Sequence, residues 1–67
     1  MAGILPLAAM EKILKKNGAA RVSASAKEAL RDALEDAAKK IAEKANQISR
    51  HAGRTTIKSE DVKLATK

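Results

Sequence analysis

Residues 23–52 read SASAKEALRDALEDAAKKIAEKANQISRHA, and this stretch decides the architecture. It holds no Gly and no Pro, and Ile41 is its only β-branched residue before Ile48. Apolar side chains recur at Ala26, Leu30, Ala33, Ala37, Ile41, Ala45, Ile48 and Ala52, in steps of three and four that trace one helix face. Ala, Lys, Glu and Leu, the strongest helix formers, fill most positions. The pattern predicts one continuous helix over about 23–52, roughly 28 residues and about 42 Å long at 1.5 Å per residue.

On its N-terminal side a shorter helix is expected over about 6–17. Pro6 suits a first turn, and Leu7, Met10, Ile13 and Leu14 make an apolar face. Lys12, Lys15 and Lys16 share a second, basic face. Asn17-Gly18 is the expected stop, because both residues accept the left-handed conformation of a helix C-terminus. After the loop 19–22, either Ser23 caps the long helix or Ser25 does so in a capping box with Glu28; the pattern leaves both open. Arg50 and His51 suit the negative end of the helix dipole, and Gly53 terminates the helix. The β-branched Thr55, Thr56 and Ile57 favour an extended second loop. A third helix is expected over about 58–67, with Glu60 and Asp61 in its first turn.

This is an all-α chain of 67 residues read as a single domain, 1–67. Chains of this size bury only about 60% of their unfolded surface, so an isolated core is marginal. Phe, Trp, Tyr and Cys are all absent, which removes aromatic packing, disulfides and thiolate-bound metals as sources of stability. The flanking helices, roughly 16 Å and 15 Å long, can cover only the ends of the long one. The middle stripe of Leu30, Ala33, Leu34, Ala37 and Ile41 would stay wet in a monomer. A second copy crossing at that midpoint buries it on both chains, so an intertwined two-fold dimer is the expected unit.

Fourteen Lys and Arg against eight Asp and Glu leave a formal charge of +6. With a pI near 10.0, this favours a polyanionic partner, nucleic acid or an anionic membrane. The apolar run 4–10 is interrupted by Pro6, is far too short to span a bilayer, and has no basic segment before it, so no signal peptide is expected. No Gly-rich phosphate loop, metal-ligand cluster or nucleophile–base arrangement is present, and His51 stands alone. The reading is therefore not an enzyme, with no cofactor, metal or small-molecule substrate. A cytoplasmic location is expected, at the chromosome or nucleoid if the partner is DNA.

The loop sequences carry a specific resemblance. Gly-Ala-Ala-Arg-Val-Ser at 18–23, followed by His-Ala-Gly-Arg-Thr-Thr-Ile-Lys-Ser-Glu-Asp-Val at 51–62, closely resembles archaeal histones, and the likeness runs from Leu5 to the C-terminus without a gap. The resemblance implies the histone fold: short helix, loop, long helix, loop, short helix, paired as an intertwined dimer. It also implies binding and compaction of double-stranded DNA, largely without sequence preference. Arg21 matches an arginine inserted into the minor groove, and Thr56 the threonine beside it from the second chain. Lys12 and Lys15 match phosphate contacts, which Lys16, Ser23 and Thr55 extend. Arg54 and Asp61 match an ion pair that braces the second loop. Ile48, His51, Asp61 and Leu64 match positions where two dimers meet. Gly18 matches a small residue that permits close stacking of dimers, and we add Asp32 and Asp36 facing Lys63 and Lys67 across such a stack.

The chain departs from the family in places. Thr55 replaces a usual lysine, which removes a phosphate contact that Lys16 compensates, and Asn46-Gln47 replaces a stretch that is often apolar. The missing aromatics predict lower stability than in many relatives. One rival reading is a histone-fold interaction subunit of a transcription-type complex, paired with a paralogue and binding DNA weakly. Another is a basic amphipathic membrane peptide, against which the two loop motifs argue.

Overall fold

A computed structural model describes residues 3–67, and among these it contains three helices and no strand: α1 over Leu7–Lys16, α2 over Ala24–His51 and α3 over Ser59–Ala65. The helix ends follow from local chemistry. Pro6, in extended backbone, is the N-cap of α1, and its carbonyl accepts the Met10 N–H at 3.4 Å. At the other end Gly18 takes a positive φ of 111°, which lets Gly18 N–H reach the Lys15 carbonyl and Ala19 N–H the Leu14 carbonyl. The expectation that Asn17 shares this left-handed role does not hold. Its φ is −99°, and it caps through its side chain, Nδ2 donating to the Ile13 carbonyl at 2.8 Å.

Ser23, rather than Ser25, caps α2. Its Oγ accepts the Ala26 N–H at 3.1 Å, and its carbonyl accepts the Lys27 N–H at 3.2 Å. The helix then runs unbroken to His51. Gly53, with φ 75°, stops it by the same double bond pattern as Gly18: Gly53 N–H to the Arg50 carbonyl and Arg54 N–H to the Ser49 carbonyl. Asp61 caps α3 from inside its first turn, accepting the Lys58 N–H at 2.8 Å. The Lys58 side chain has no acceptor, so this cap is one-sided. The helix ends at Ala65 with Thr66 as its C-cap: the Thr66 N–H donates to the Val62 carbonyl at 3.1 Å, and its hydroxyl donates back to the Lys63 carbonyl at 2.9 Å.

The chain divides into two compact units. In the first, residues 3–36, Met10 is the buried apolar residue, and Glu35 receives the N–H groups of Ile4 and Leu5, the latter at 2.6 Å. In the second, residues 37–67, the buried set is Ala45 and Ser49 of α2 with Asp61 and Ala65 of α3, each pair one turn apart on its helix. Among the described residues the buried apolar side chains are thus Met10, Ala45 and Ala65, while Ile4, Ile13, Leu34, Ile57, Val62 and Leu64 remain exposed. Burying one large side chain contributes only about 1.5–3 kcal/mol, so this core is thin for a single chain.

Candidate nucleic-acid interface

The second loop is held by a closed set of side-chain hydrogen bonds. Arg54 meets Asp61 with both arms of its guanidinium: Nη1 donates to Oδ2 at 3.0 Å and Nη2 to Oδ1 at 2.9 Å. Nη1 also donates to the Thr56 carbonyl at 3.0 Å. From below, the Ser49 hydroxyl donates toward the carbonyls of Thr56 at 2.9 Å and Arg54 at 3.2 Å. Asp61 is only 1% exposed, and it accepts from Arg54 and from the Lys58 N–H. Arg54 first, then that N–H, hold its carboxyl down to about 2 against the opposing effect of burial. The same contact raises the Arg54 guanidinium further above its ordinary value.

This network fixes the backbone from Arg54 to Lys58 while leaving Thr55 and Thr56 exposed, and their hydroxyls make no hydrogen bond among the described residues. Arg54 is consumed as a brace. The first loop is different: Arg21 is exposed and has no carboxylate partner among the described residues. Its neighbour Ser23 is committed to the α2 cap.

The α1 lysines separate into two kinds. Lys12 and Lys16 are exposed and unpaired among the described residues, one turn apart on α1. Lys15 is paired with Glu11 at 2.9 Å, and the same carboxylate receives Lys27 of α2 at 3.6 Å. The Glu11–Lys15 spacing was legible as a helical pair. Lys27 joins it only because α1 lies against the start of α2, and no periodicity announces that. Ser49 is the other residue that sequence reasoning missed, although a small polar side chain one turn after Ala45 continues the buried face.

On the middle of α2, Ala33, Leu34 and Ala37 are exposed, and Leu30 and Ile41 are half-buried. Near its C-terminus, Gln47, Arg50 and His51 line an open depression of about 310 Å³. Ile48 is half-buried, and Leu64 on α3 is 51% exposed. Asp32 is engaged by Arg31 Nε at 3.3 Å, and Lys63 and Lys67 are exposed. No group of His, Cys, Asp or Glu among the described residues is arranged to hold a metal. Nor is any helix there long and apolar enough to cross a membrane.

Known proteins are similar over nearly the whole chain. One is a component of the archaeal histone HAN1 of Thermococcus zilligii, 48% identical over 63 residues that cover 94% of each chain. Another is probable archaeal histone 3 of Methanocaldococcus jannaschii, 48% identical over 61 residues that cover 91% of each. Residues 4–66 match the family described as histone-like transcription factor (CBF/NF-Y) and archaeal histone. With the short–long–short helix order, the glycine-stopped helices and the braced second loop all inside the matched span, the chain belongs to this histone-fold family.

Proposed function

We propose that this chain is a DNA-binding chromatin protein that acts as a dimer and wraps double-stranded DNA with little regard to base sequence. The observation that carries the reading is the division of the cations. Lys12, Lys16 and Arg21 are exposed without a carboxylate among the described residues, whereas Arg54 is spent inside its own loop. Free cations that meet phosphates release counterions from DNA, which supplies sequence-independent affinity. Two relatives named as archaeal histones support the same conclusion.

In this reading two chains cross at the middle of α2. The exposed Ala33, Leu34 and Ala37 and the half-buried Leu30 and Ile41 supply the contact that the thin core lacks. Arg21 then lies beside the partner's Thr56 and enters the minor groove, as arginines do in the nucleosome without base-specific contacts. Thr55 and Thr56 offer their unspent hydroxyls to phosphates, Ser23 anchors the loop, and Lys15 adds to Lys12 and Lys16. Dimers meet through Ile48, His51 and Leu64. Asp61 takes part only by exchanging a bond it already makes to Arg54 or Lys58. Gly18 permits side-by-side stacking, in which Lys63 and Lys67 face Asp32 and Asp36, and the protein resides on the chromosome.

Nuclease digestion of the protein on long DNA tests this. Protection in regular steps is expected, with Arg21→Ala shortening or abolishing the protected lengths. An Arg21→Ala protein that protects DNA as the parent does would remove the central site. Because the family description also covers transcription factors, size-exclusion chromatography is the companion experiment. A stable homodimer supports the chromatin reading, and a chain that elutes folded only with a different protein supports the interaction-subunit reading.

A further inference from the structure

Glu11 lies on α1 one turn before Lys15, and its carboxylate meets two ammonium groups, Lys15 Nζ at 2.9 Å and Lys27 Nζ from α2 at 3.6 Å. All three side chains are partly exposed, at 36%, 50% and 25% for Glu11, Lys15 and Lys27, so the cluster faces solvent rather than closing a core. Lys15, and then Lys27, hold the Glu11 carboxyl below its ordinary range, and it stays ionised at neutral pH. Lys12 and Lys16, on the same helix, carry no such carboxylate among the described residues. A phosphate approaching Lys15 or Lys27 therefore meets an anion already seated at hydrogen-bonding distance from the first and at ion-pair distance from the second.

We propose that Glu11 is a built-in competitor for DNA phosphate: it occupies Lys15 and Lys27 in the free protein and holds DNA affinity below what the basic face would otherwise give. Lys27, which the sequence pattern did not single out, is thereby a phosphate contact in reserve. This rests on the DNA-binding reading. In the dimer the two Glu11 carboxylates engage four lysines but offset two positive charges, so neutralising them frees a net two charges, equivalent to up to two further phosphate contacts. Each contact steepens the dependence of log affinity on log salt by about 0.9, hence up to about 1.8 in all.

The test is fluorescence anisotropy of a labelled DNA duplex with parent, Glu11→Gln and Glu43→Gln proteins between about 50 and 200 mM salt, the range over which phosphate contacts declare themselves. Gln is close to isosteric and still accepts hydrogen bonds, and Glu43→Gln removes the same charge from an exposed position elsewhere on α2. Glu11→Gln is expected to bind at least about threefold tighter at the low-salt end, and to lose about tenfold more affinity than the parent across the range. Glu43→Gln is expected to keep the parent's slope. Should Glu11→Gln melt below the assay temperature, Glu11→Ala decides instead, since Ala keeps the helix. A Glu11 variant that binds no more tightly than the parent, or with the slope of Glu43→Gln, overturns the inference while leaving the DNA reading intact. A parent protein whose DNA binding is absent or indifferent to salt overturns both.

Discussion

Replacing Ser49 with Ala tests whether one buried hydroxyl organises the second loop. Ser49 is 1% exposed on the inner face of α2, and its single proton is shared between the carbonyls of Thr56 at 2.9 Å and Arg54 at 3.2 Å. Losing a neutral hydrogen bond costs about 1 kcal/mol net, and stranding a buried carbonyl raises that to about 1–3 kcal/mol. The structure selects the lower part of this range. The Thr56 carbonyl keeps the Arg54 guanidinium at 3.0 Å, so only the Arg54 carbonyl loses its side-chain donor. We expect about 1–2 kcal/mol per chain, worth roughly 4–8 °C in melting temperature for each kcal/mol in a domain of this size. Cooperative melting of a dimer leaves that shift unchanged, because the loss and the unfolding entropy double together.

Thermal melting by circular dichroism at fixed protein concentration measures the effect. Ser25→Ala, at an exposed serine whose hydroxyl touches only the Ser23 Oγ at 3.2 Å, is the reference and should stay within about 0.5 kcal/mol. DNA affinity measured well below the melt should also fall for Ser49→Ala, since the backbone presenting Thr55 and Thr56 loses one of its two anchors. A Ser49→Ala protein that melts with Ser25→Ala and binds DNA as the parent does would show that Arg54 and Asp61 hold the loop unaided.

Other outcomes follow from the same structure. Asp61 has a folded-state carboxyl near 2, depressed below its ordinary value, so its stabilising contribution is complete above the ordinary carboxylate range. That contribution is lost as pH falls from about 4 toward about 2; melting temperature against pH should show the loss in the parent and a shallower one in Asp61→Asn. Leu34 is 38% exposed, and covering that remainder on both chains is worth roughly 1–2 kcal/mol per dimer. Leu34→Ala should therefore weaken dimerisation about tenfold, read by analytical ultracentrifugation; an unchanged dissociation constant would place the dimer contact elsewhere. Gly18→Ala and Gly53→Ala force L side chains to φ 111° and φ 75° with open space around both sites, so the cost is purely backbone. Urea denaturation should report about 1–2 kcal/mol for each.

Much of the fold is legible because helix formation and termination act over a few residues. The apolar spacing from Ala26 to Ala52 needs no tertiary information, and neither do the glycines that end α1 and α2. Choices between equal local signals are not legible in this way. Ser23 and Ser25 both satisfy a capping rule, and the chain resolves them in favour of Ser23 through the Ala26 N–H. Asn17 illustrates a related difference: a residue able to adopt the left-handed conformation caps with its side chain, because Gly18 already supplies the positive φ. The extent of burial was also hidden. Ile57, Asp61, Val62, Leu64 and Ala65 can all be assigned to inner faces of the third helix from spacing, yet of these the structure buries Asp61 and Ala65 and leaves Ile57, Val62 and Leu64 exposed.

Charge follows the same division at the candidate interface. Composition alone determined that the chain is strongly basic, and spacing alone determined that Lys12, Lys15 and Lys16 share a helix face. Spacing also offers the Glu11–Lys15 pair, but only the tertiary structure decided that Lys27 shares that carboxylate and that Lys12 and Lys16 meet none among the described residues. Lys15 is held by Glu11 together with Lys27, Arg54 is folded into a closed network with Asp61, Thr56 and Ser49, and Arg21, Lys12 and Lys16 are left without a carboxylate among the described residues. The physical reason is range. A helix or its cap is settled by neighbours within one or two turns, whereas a charge is settled by whatever carboxylate the packing of another element brings within a few ångströms.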